Sequence, residues 1–209
     1  MSTYSIVNHV LHKDGKPVPQ KATPNKGGVI KPSILVMHFT GSDNAAGSIS
    51  WLCDPRSKVS AHLVLDQAGN VTQLAPFNRA CWHAGKSKWG KVTAINSNSI
   101  GIEMANCGPL KKMADGSYRA ELAKKTFKPS EVVVAGHKNS PKTVIGWDDY
   151  PAAQVQASGE IMAAIVAAYG IKEGNVVGHD DIAPIRKVDP GPAYPMARVK
   201  SIAFGRAGK

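Results

Sequence analysis

The chain has 209 residues, 43% hydrophobic and 20% charged, with a formal net charge of +11. That length and balance suit one well-filled globular core, exclude the disordered and fibrous classes, and leave no apolar run long enough to cross a bilayer. The positive excess predicts attraction to a polyanion such as an anionic cell envelope. Nucleic acid is not the expected partner, because Lys111, Lys112, Lys124, Lys125 and Lys128 are scattered and no zinc-finger spacing or aromatic RNA-binding signature accompanies them. Cys53, Cys81 and Cys107 are odd in number and widely spaced, which reads as buried free thiols rather than a disulfide framework. The N-terminal MSTYSIVNHVLHKDGKPV lacks a basic start followed by a long apolar stretch, so the expectation is cytoplasmic synthesis without a Sec signal peptide.

Residues 1–30 are polar and rich in Lys and Pro, and read as an arm or loop preceding a domain over 31–209. Ser33–His38 is a continuous β-branched and apolar run of the central-strand type. Asn44 suits the cap of a short helix through Cys53 that stops before Pro55. Residues 61–66 and 71–74, joined by Gln67-Ala68-Gly69-Asn70, predict a hairpin. A strand over 99–105 places Ile100, Ile102 and Met104 on one face and Glu103 on the other. Residues 108–146 form a Lys-rich elaboration with little regularity, holding at most a hairpin. A helix follows, capped by Asp148 or Asp149, with Pro151 in its first turn and Gly170 past its end. Val155, Ile161, Met162, Ile165, Val166 and Tyr169 are its core-facing stripe. A short strand over 175–178 then delivers His179. The sum is a single α/β domain, a central mixed β-sheet flanked by helices.

His38 and His179 stand at the ends of two predicted strands, and Asp189 lies on a loop stiffened by Pro184, Pro190 and Pro192. Two imidazoles and a carboxylate suit Zn²⁺ with a fourth position left for water, the arrangement of catalytic sites. Spacing alone leaves the ordinary reading open, that each histidine is a hydrogen-bonded structural residue.

Five segments sharpen this: HFTGS (38–42), SAHLVLDQAGNVTQLAP (60–76), CWHAG (81–85), NSIGIEMAN (98–106) and GHDDIAPIRKVDPGP (178–192). In this order they resemble the zinc-dependent N-acetylmuramoyl-L-alanine amidases of the amidase-2 family, which includes muropeptide-recycling amidases, phage lysozyme-type endolysins and peptidoglycan recognition proteins. The resemblance spans about residues 33–192 and implies an amidase-2 or peptidoglycan-recognition-protein-like fold. It implies Zn²⁺ held by His38, His179 and Asp189, with Glu103 and Lys187 as catalytic side chains. Both roles make chemical sense: a carboxylate can shuttle the proton of an attacking water, and an ammonium can steady a developing oxyanion. His83 matches a position lining the substrate cleft, with a structural role as the alternative. His62 reads as structural, His137 could line the cleft, and Trp82 and Trp147 read as packing residues.

The implied reaction is hydrolysis of the amide between N-acetylmuramic acid and L-alanine in peptidoglycan or muropeptides. The charge favours a phage-type endolysin that reaches the cell wall after release through the membrane by another protein. A cytosolic muropeptide-recycling amidase and a non-catalytic peptidoglycan-binding module are the alternatives.

Overall fold

Strands occupy the N-terminal stretch where an arm or loop was expected. In the computed structural model, which describes residues 3–205, β1 (Tyr4–Val7), β2 (Val10–Lys13) and β3 (Lys16–Pro17) form an antiparallel sheet. Its inward-facing set is sparse: Tyr4 and Ile6 pack against the main core, and Leu11 alone in the first two strands is fully buried. So few apolar positions leave no legible period-2 signal. Gln73 stitches this sheet to the body. Its Oε1 accepts the Leu11 N–H (2.8 Å), and its Nε2 donates to the carbonyls of His9 (3.1 Å) and Ala75 (2.9 Å).

After β4 (Lys26–Val29) comes β5 (Ile34–Phe39), then α1 (Ala45–Leu52), where Asn44 Oδ1 accepts the Gly47 N–H at 3.0 Å as its capping chemistry predicts. β6 (Leu63–Leu65) and β7 (Val71–Gln73) are the expected hairpin, closed by Asp66 and Asn70. β8 (Arg79–Cys81) pairs with β4, and β9 (Ser99–Met104) is the second long central strand.

The elaboration is far more regular than its sequence suggested. β10 (Pro109–Lys112), β11 (Tyr118–Ala120), β12 (Lys125–Phe127), β13 (Val132–His137) and β14 (Ser140–Asp148) make a second five-stranded sheet, in the order β12-β11-β10-β14-β13. It carries its own small core of Cys107, Leu110, Tyr118, Ala120 and Phe127. Three of its strands have four residues or fewer, and one face is open to solvent, which hides the alternation.

Next is α2 (Ala152–Tyr169), which ends at Gly170 in the left-handed conformation (φ 64°). Neither expected aspartate caps it: Asp148 accepts the Cys107 N–H at 2.7 Å, Asp149 accepts the Tyr150 N–H, and Pro151 holds the cap position. β15 (Val176–Gly178), the four-residue α3 (His179–Ile182) and α4 (Met196–Ala203) are the last elements among the described residues.

The central sheet runs β15-β5-β9-β6-β7, with every neighbouring pair parallel except the antiparallel β6–β7 hairpin, and so is mixed. One face carries Leu35, Met37, Ile100, Ile102 and Met104 into the main core against Ile161, Met162 and Ile165 of α2. Truncating fully buried Ile161 to Ala would cost about 2–5 kcal/mol. Among the described residues the opposite face has two small clusters, Ile34 and Val36 with Ala84, Ile95, Val177 and Ile182, and Val64 with Leu52, Ala61 and Leu74. Alternation puts His38 on this second face with Ile34 and Val36, and Glu103 on the same side. The chain is therefore one α/β domain whose less covered face holds the polar residues.

Candidate active site

Strand pairing brings the key side chains together. β15 runs parallel to β5 with Gly178 opposite Met37, so His179 and His38 emerge side by side at the strand ends. β9 lies on the other flank of β5 with Glu103 opposite His38. Past α3 the chain returns and buries Asp189. His38 Nδ1 lies 3.0 Å from His179 Nδ1 and 2.8 Å from Asp189 Oδ2, and His179 Nδ1 is 2.9 Å from the same oxygen.

The hydrogen bonds behind these atoms fix where the protons are. Ser99 Oγ donates to the Ile95 carbonyl at 2.6 Å, so it must accept from His83 Nε2 at 3.1 Å. His83 Nδ1 then carries a lone pair and accepts from His38 Nε2 at 3.0 Å, which leaves the His38 Nδ1 lone pair facing the centre. His179 Nε2 donates to the Ala84 carbonyl at 3.1 Å, which turns its Nδ1 toward the same point. Burial pushes His38 down to about 4, against the pull of Asp189, and holds His83 well below the ordinary histidine range, so both rings are neutral at pH 7. Two ring nitrogens and a carboxylate oxygen thus converge on one point, all three within 3.0 Å of one another. A cation resolves that arrangement, and the donor set, with both rings anchored through their far nitrogens, fits Zn²⁺.

Gly101 makes room for this relay. It shares a face of β9 with Ser99 and Glu103, and an added Cβ there would lie 2.5 Å from His83 Cγ. The imidazole occupies the space a side chain would fill.

His38, His179 and Asp189 line a cleft of about 670 Å³ together with Glu103, Lys187 and His83. Glu103 Oε2 is buried without a hydrogen-bond partner. Burial, reinforced by the Asp189 charge and opposed by Lys187, holds its carboxyl well above the usual range. The loop that returns Lys187 is pinned by Arg186, whose Nη2 donates to the carbonyls of Ala84 (2.8 Å) and Lys86 (2.9 Å). Farther out the walls are apolar, with exposed Trp51, Val59, Trp82 and Leu122.

The amidase-2 family model, described as N-acetylmuramoyl-L-alanine amidase, matches residues 29–192. This chain belongs to that family. It is 32% identical over 179 residues to N-acetylmuramoyl-L-alanine amidase AmiD of Escherichia coli (strain K12), which covers 82% of this chain and 53% of AmiD. The chain thus spans about half the length of that relative. It is 26% identical over 189 residues to 1,6-anhydro-N-acetylmuramyl-L-alanine amidase AmpD of Salmonella typhimurium (strain SL1344), covering 82% of this chain and 81% of AmpD. The solved complex of E. coli AmiD with anhydro-N-acetylmuramic acid-L-Ala-D-gamma-Glu-L-Lys superposes with a TM-score of 0.62 at 29% identity, over 95% of this chain and 65% of that one. A mutant endolysin from Bacillus subtilis shares the fold, with a TM-score of 0.56 at 21% identity over 90% of this chain and 97% of that one.

For this amidase-2 chain the structure brings His38, His179, Asp189, Glu103, Lys187 and His83 into one cleft. His83, read as a cleft-lining contact or a structural residue, is buried behind His38 and bonded to it. His62 accepts the Gly101 N–H and donates to the Arg79 carbonyl. His137 does not line the cleft; it is buried against Asp180, with its ring on Trp147. Trp147 is a packing residue, but Trp82 is 40% exposed on the cleft wall and Trp51 joins it there. Cys81 and Cys107 are buried free thiols, whereas Cys53 is partly exposed. Sequence reading overlooked Ser99 and Trp51. Ser99 carried a usable signal, since 99, 101 and 103 alternate onto one face of β9.

Proposed function

We propose that this chain hydrolyses the amide joining the lactyl group of N-acetylmuramic acid to L-alanine in peptidoglycan or muropeptides, with Zn²⁺ as its cofactor. The observation that carries the reading is the convergence of His38 Nδ1, His179 Nδ1 and Asp189 Oδ2 in a cleft that also holds Glu103 and Lys187. Bound Zn²⁺ supplies Lewis acidity, polarising a carbonyl and bringing the pKa of water toward about 7. Glu103 takes a proton from the attacking water and returns it to the amide nitrogen as the C–N bond breaks. Lys187 donates an N–H to the carbonyl oxygen as negative charge develops there, an interaction whose loss costs about 10²–10³ in rate. The products are a lactyl carboxylate and a stem peptide with a free L-alanine amine.

The test is incubation of the purified protein with a muropeptide and with murein sacculi, with and without a chelator. Release of free stem peptide that the chelator abolishes is expected. No release by zinc-loaded protein on either substrate sinks the reading.

Two settings have support. The net charge of +11 favours an endolysin role on an anionic envelope, reached through a membrane opening made by another protein. The sequence relatives AmiD and AmpD favour a recycling role on small anhydro-muropeptides. Faster turnover of sacculi than of the soluble muropeptide would select the first, and the reverse order the second.

A further inference from the structure

We propose that the tip of the β13–β14 hairpin, His137–Asn139, is a positioning device that holds the loop carrying His179, Lys187 and Asp189, and so sets the affinity of the site for its metal. The inference rests on the zinc reading above.

Within that loop the order is local: the Ala183 N–H donates to the His179 carbonyl, the Arg186 and Lys187 N–H groups to the Ala183 carbonyl, and the Gly178 N–H to Asp181 Oδ2. α3 has only four residues, too few to persist alone, and Ile185 at its apex is fully exposed. On one side Arg186 ties it to the carbonyls of Ala84 and Lys86. On the other side it meets the hairpin tip, toward which the Asp180 carboxylate is turned. Asp180 is 3% exposed. Its Oδ2 accepts from His137 Nε2 at 2.9 Å, and its Oδ1 lies 2.8 Å from the Lys138 ammonium. Lys138 also reaches Asp181 Oδ1 at 2.5 Å, and Asn139 Nδ2 donates to the carbonyls of Asp180 (3.0 Å) and Pro184 (3.3 Å).

The tip is itself held rigidly. His137 Nδ1 accepts the Asn139 N–H at 3.1 Å, which places the ring proton on Nε2, aimed at Asp180. Its ring lies 5.8 Å from that of Trp147, which is 2% exposed and donates to the Ala135 carbonyl at 3.0 Å.

Asp180 passes this rigidity on to two site residues at once. It is bonded covalently to His179, and its backbone N–H donates to the Asp189 carbonyl at 2.8 Å. Its carboxylate also folds over Gly178, where a Cβ would lie 2.2 Å from Oδ1, so the strand end leaves the carboxylate one seat. A shift of Asp180 therefore moves His179 and Asp189 relative to His38, which sits on a different strand. The elaboration thus acts on the site through Asp180. His137, Lys138 and Asn139 are positioning residues and make no contact with the reacting atoms.

The test compares the full chain with Lys138→Ala/Asn139→Ala and with Lys138→Arg. Zinc affinity is read by competition with a chromophoric chelator in the absence of substrate, beside kcat, KM and the thermal midpoint. The double variant is expected to bind zinc about tenfold more weakly, within the range typical of groups that orient ligands. Its kcat should fall with KM little changed, and Lys138→Arg should recover most of the zinc affinity. Zinc affinity within twofold of the parent overturns the proposal, whatever happens to the thermal midpoint. Should the double variant fail to fold, Lys138→Ala alone, whose side chain is half exposed, is read by the same criterion. A parent that binds zinc tightly but releases no peptide overturns the proposed reaction and leaves this inference standing; a parent that binds no zinc overturns both.

Discussion

His38 gives its Nε2 proton to His83, 3.0 Å away, and that bond decides which nitrogen of His38 faces the centre of the site. His83 can accept only because its own proton is taken by Ser99, whose hydroxyl is committed to the Ile95 carbonyl. Ser99→Ala removes the acceptor and frees His83 to change tautomer. Zinc affinity, by chelator competition, should fall about tenfold, and Ser99→Thr should retain most of it. Parent-like affinity in Ser99→Ala would refute the relay.

Gly101 offers a steric test of the same ring. In Gly101→Ala the new methyl would sit where His83 Cγ and Nδ1 now lie, at 2.5 and 2.6 Å, and β9 cannot retreat because it is paired on both sides. Overpacking of this kind costs about 1–3 kcal/mol, measured by denaturant unfolding of metal-free protein. Zinc affinity should drop as well, since a displaced His83 no longer accepts from His38. A variant that loses stability but keeps its zinc would separate packing from the relay.

His62 predicts acid sensitivity away from the metal. Burial pushes it down to about 4, opposed by its bond to the Arg79 carbonyl, whereas the unfolded chain titrates near 6.5. The folded state therefore resists a proton that the unfolded state accepts. The contribution is fully present above 6.5 and is lost as pH falls through 4, amounting to roughly 3 kcal/mol. In chelator, to remove the effect of zinc release, His62→Gln should show a shallower loss of stability than the parent between pH 6.5 and 4. Equal slopes would place His62 outside the acid response.

What the sequence disclosed and what it hid follow from period and contact range. β5, β9, the β6–β7 hairpin and α2 were legible because each has a long apolar period or distinctive turn chemistry. His38 and His179 stood out at strand ends and Asp189 on a proline-braced loop, but it was the five matched segments that grouped them. Ser99, Gly101 and His83 were harder, because their link is a contact across the sheet between groups that mean little singly. The N-terminal strands and β10–β12 were missed because two- to four-residue strands with one wet face carry almost no alternation, whereas the β13–β14 hairpin was within what the sequence allowed. The partnership of His137 and Lys138 with Asp180 spans more than forty residues and has no local signature at all.

Glu103 should show function bought at the expense of stability. Its carboxyl is held well above the usual range, first by burial and then by Asp189, with Lys187 opposing. Below the unfolded value of 4.5 both states are protonated and nothing is lost; as pH rises through the folded value, the unfolded chain ionises more readily and stability falls. Glu103→Gln keeps the shape but removes the charge. In metal-free protein it should therefore raise the thermal midpoint at pH 7 and leave it unchanged at pH 4. Zinc stoichiometry should be that of the parent, because Glu103 is not among the three converging donors. Turnover should nevertheless fall by about 10²–10⁴, the usual cost of a lost proton shuttle. Lys187→Met should also slow turnover, by about 10²–10³, without the gain in stability at pH 7, since removing the ammonium takes away the one charge that favours ionised Glu103. Glu103→Gln that turns over like the parent would refute the shuttle while leaving the metal site intact. A midpoint unchanged at pH 7 would show instead that the carboxyl is ordinarily solvated.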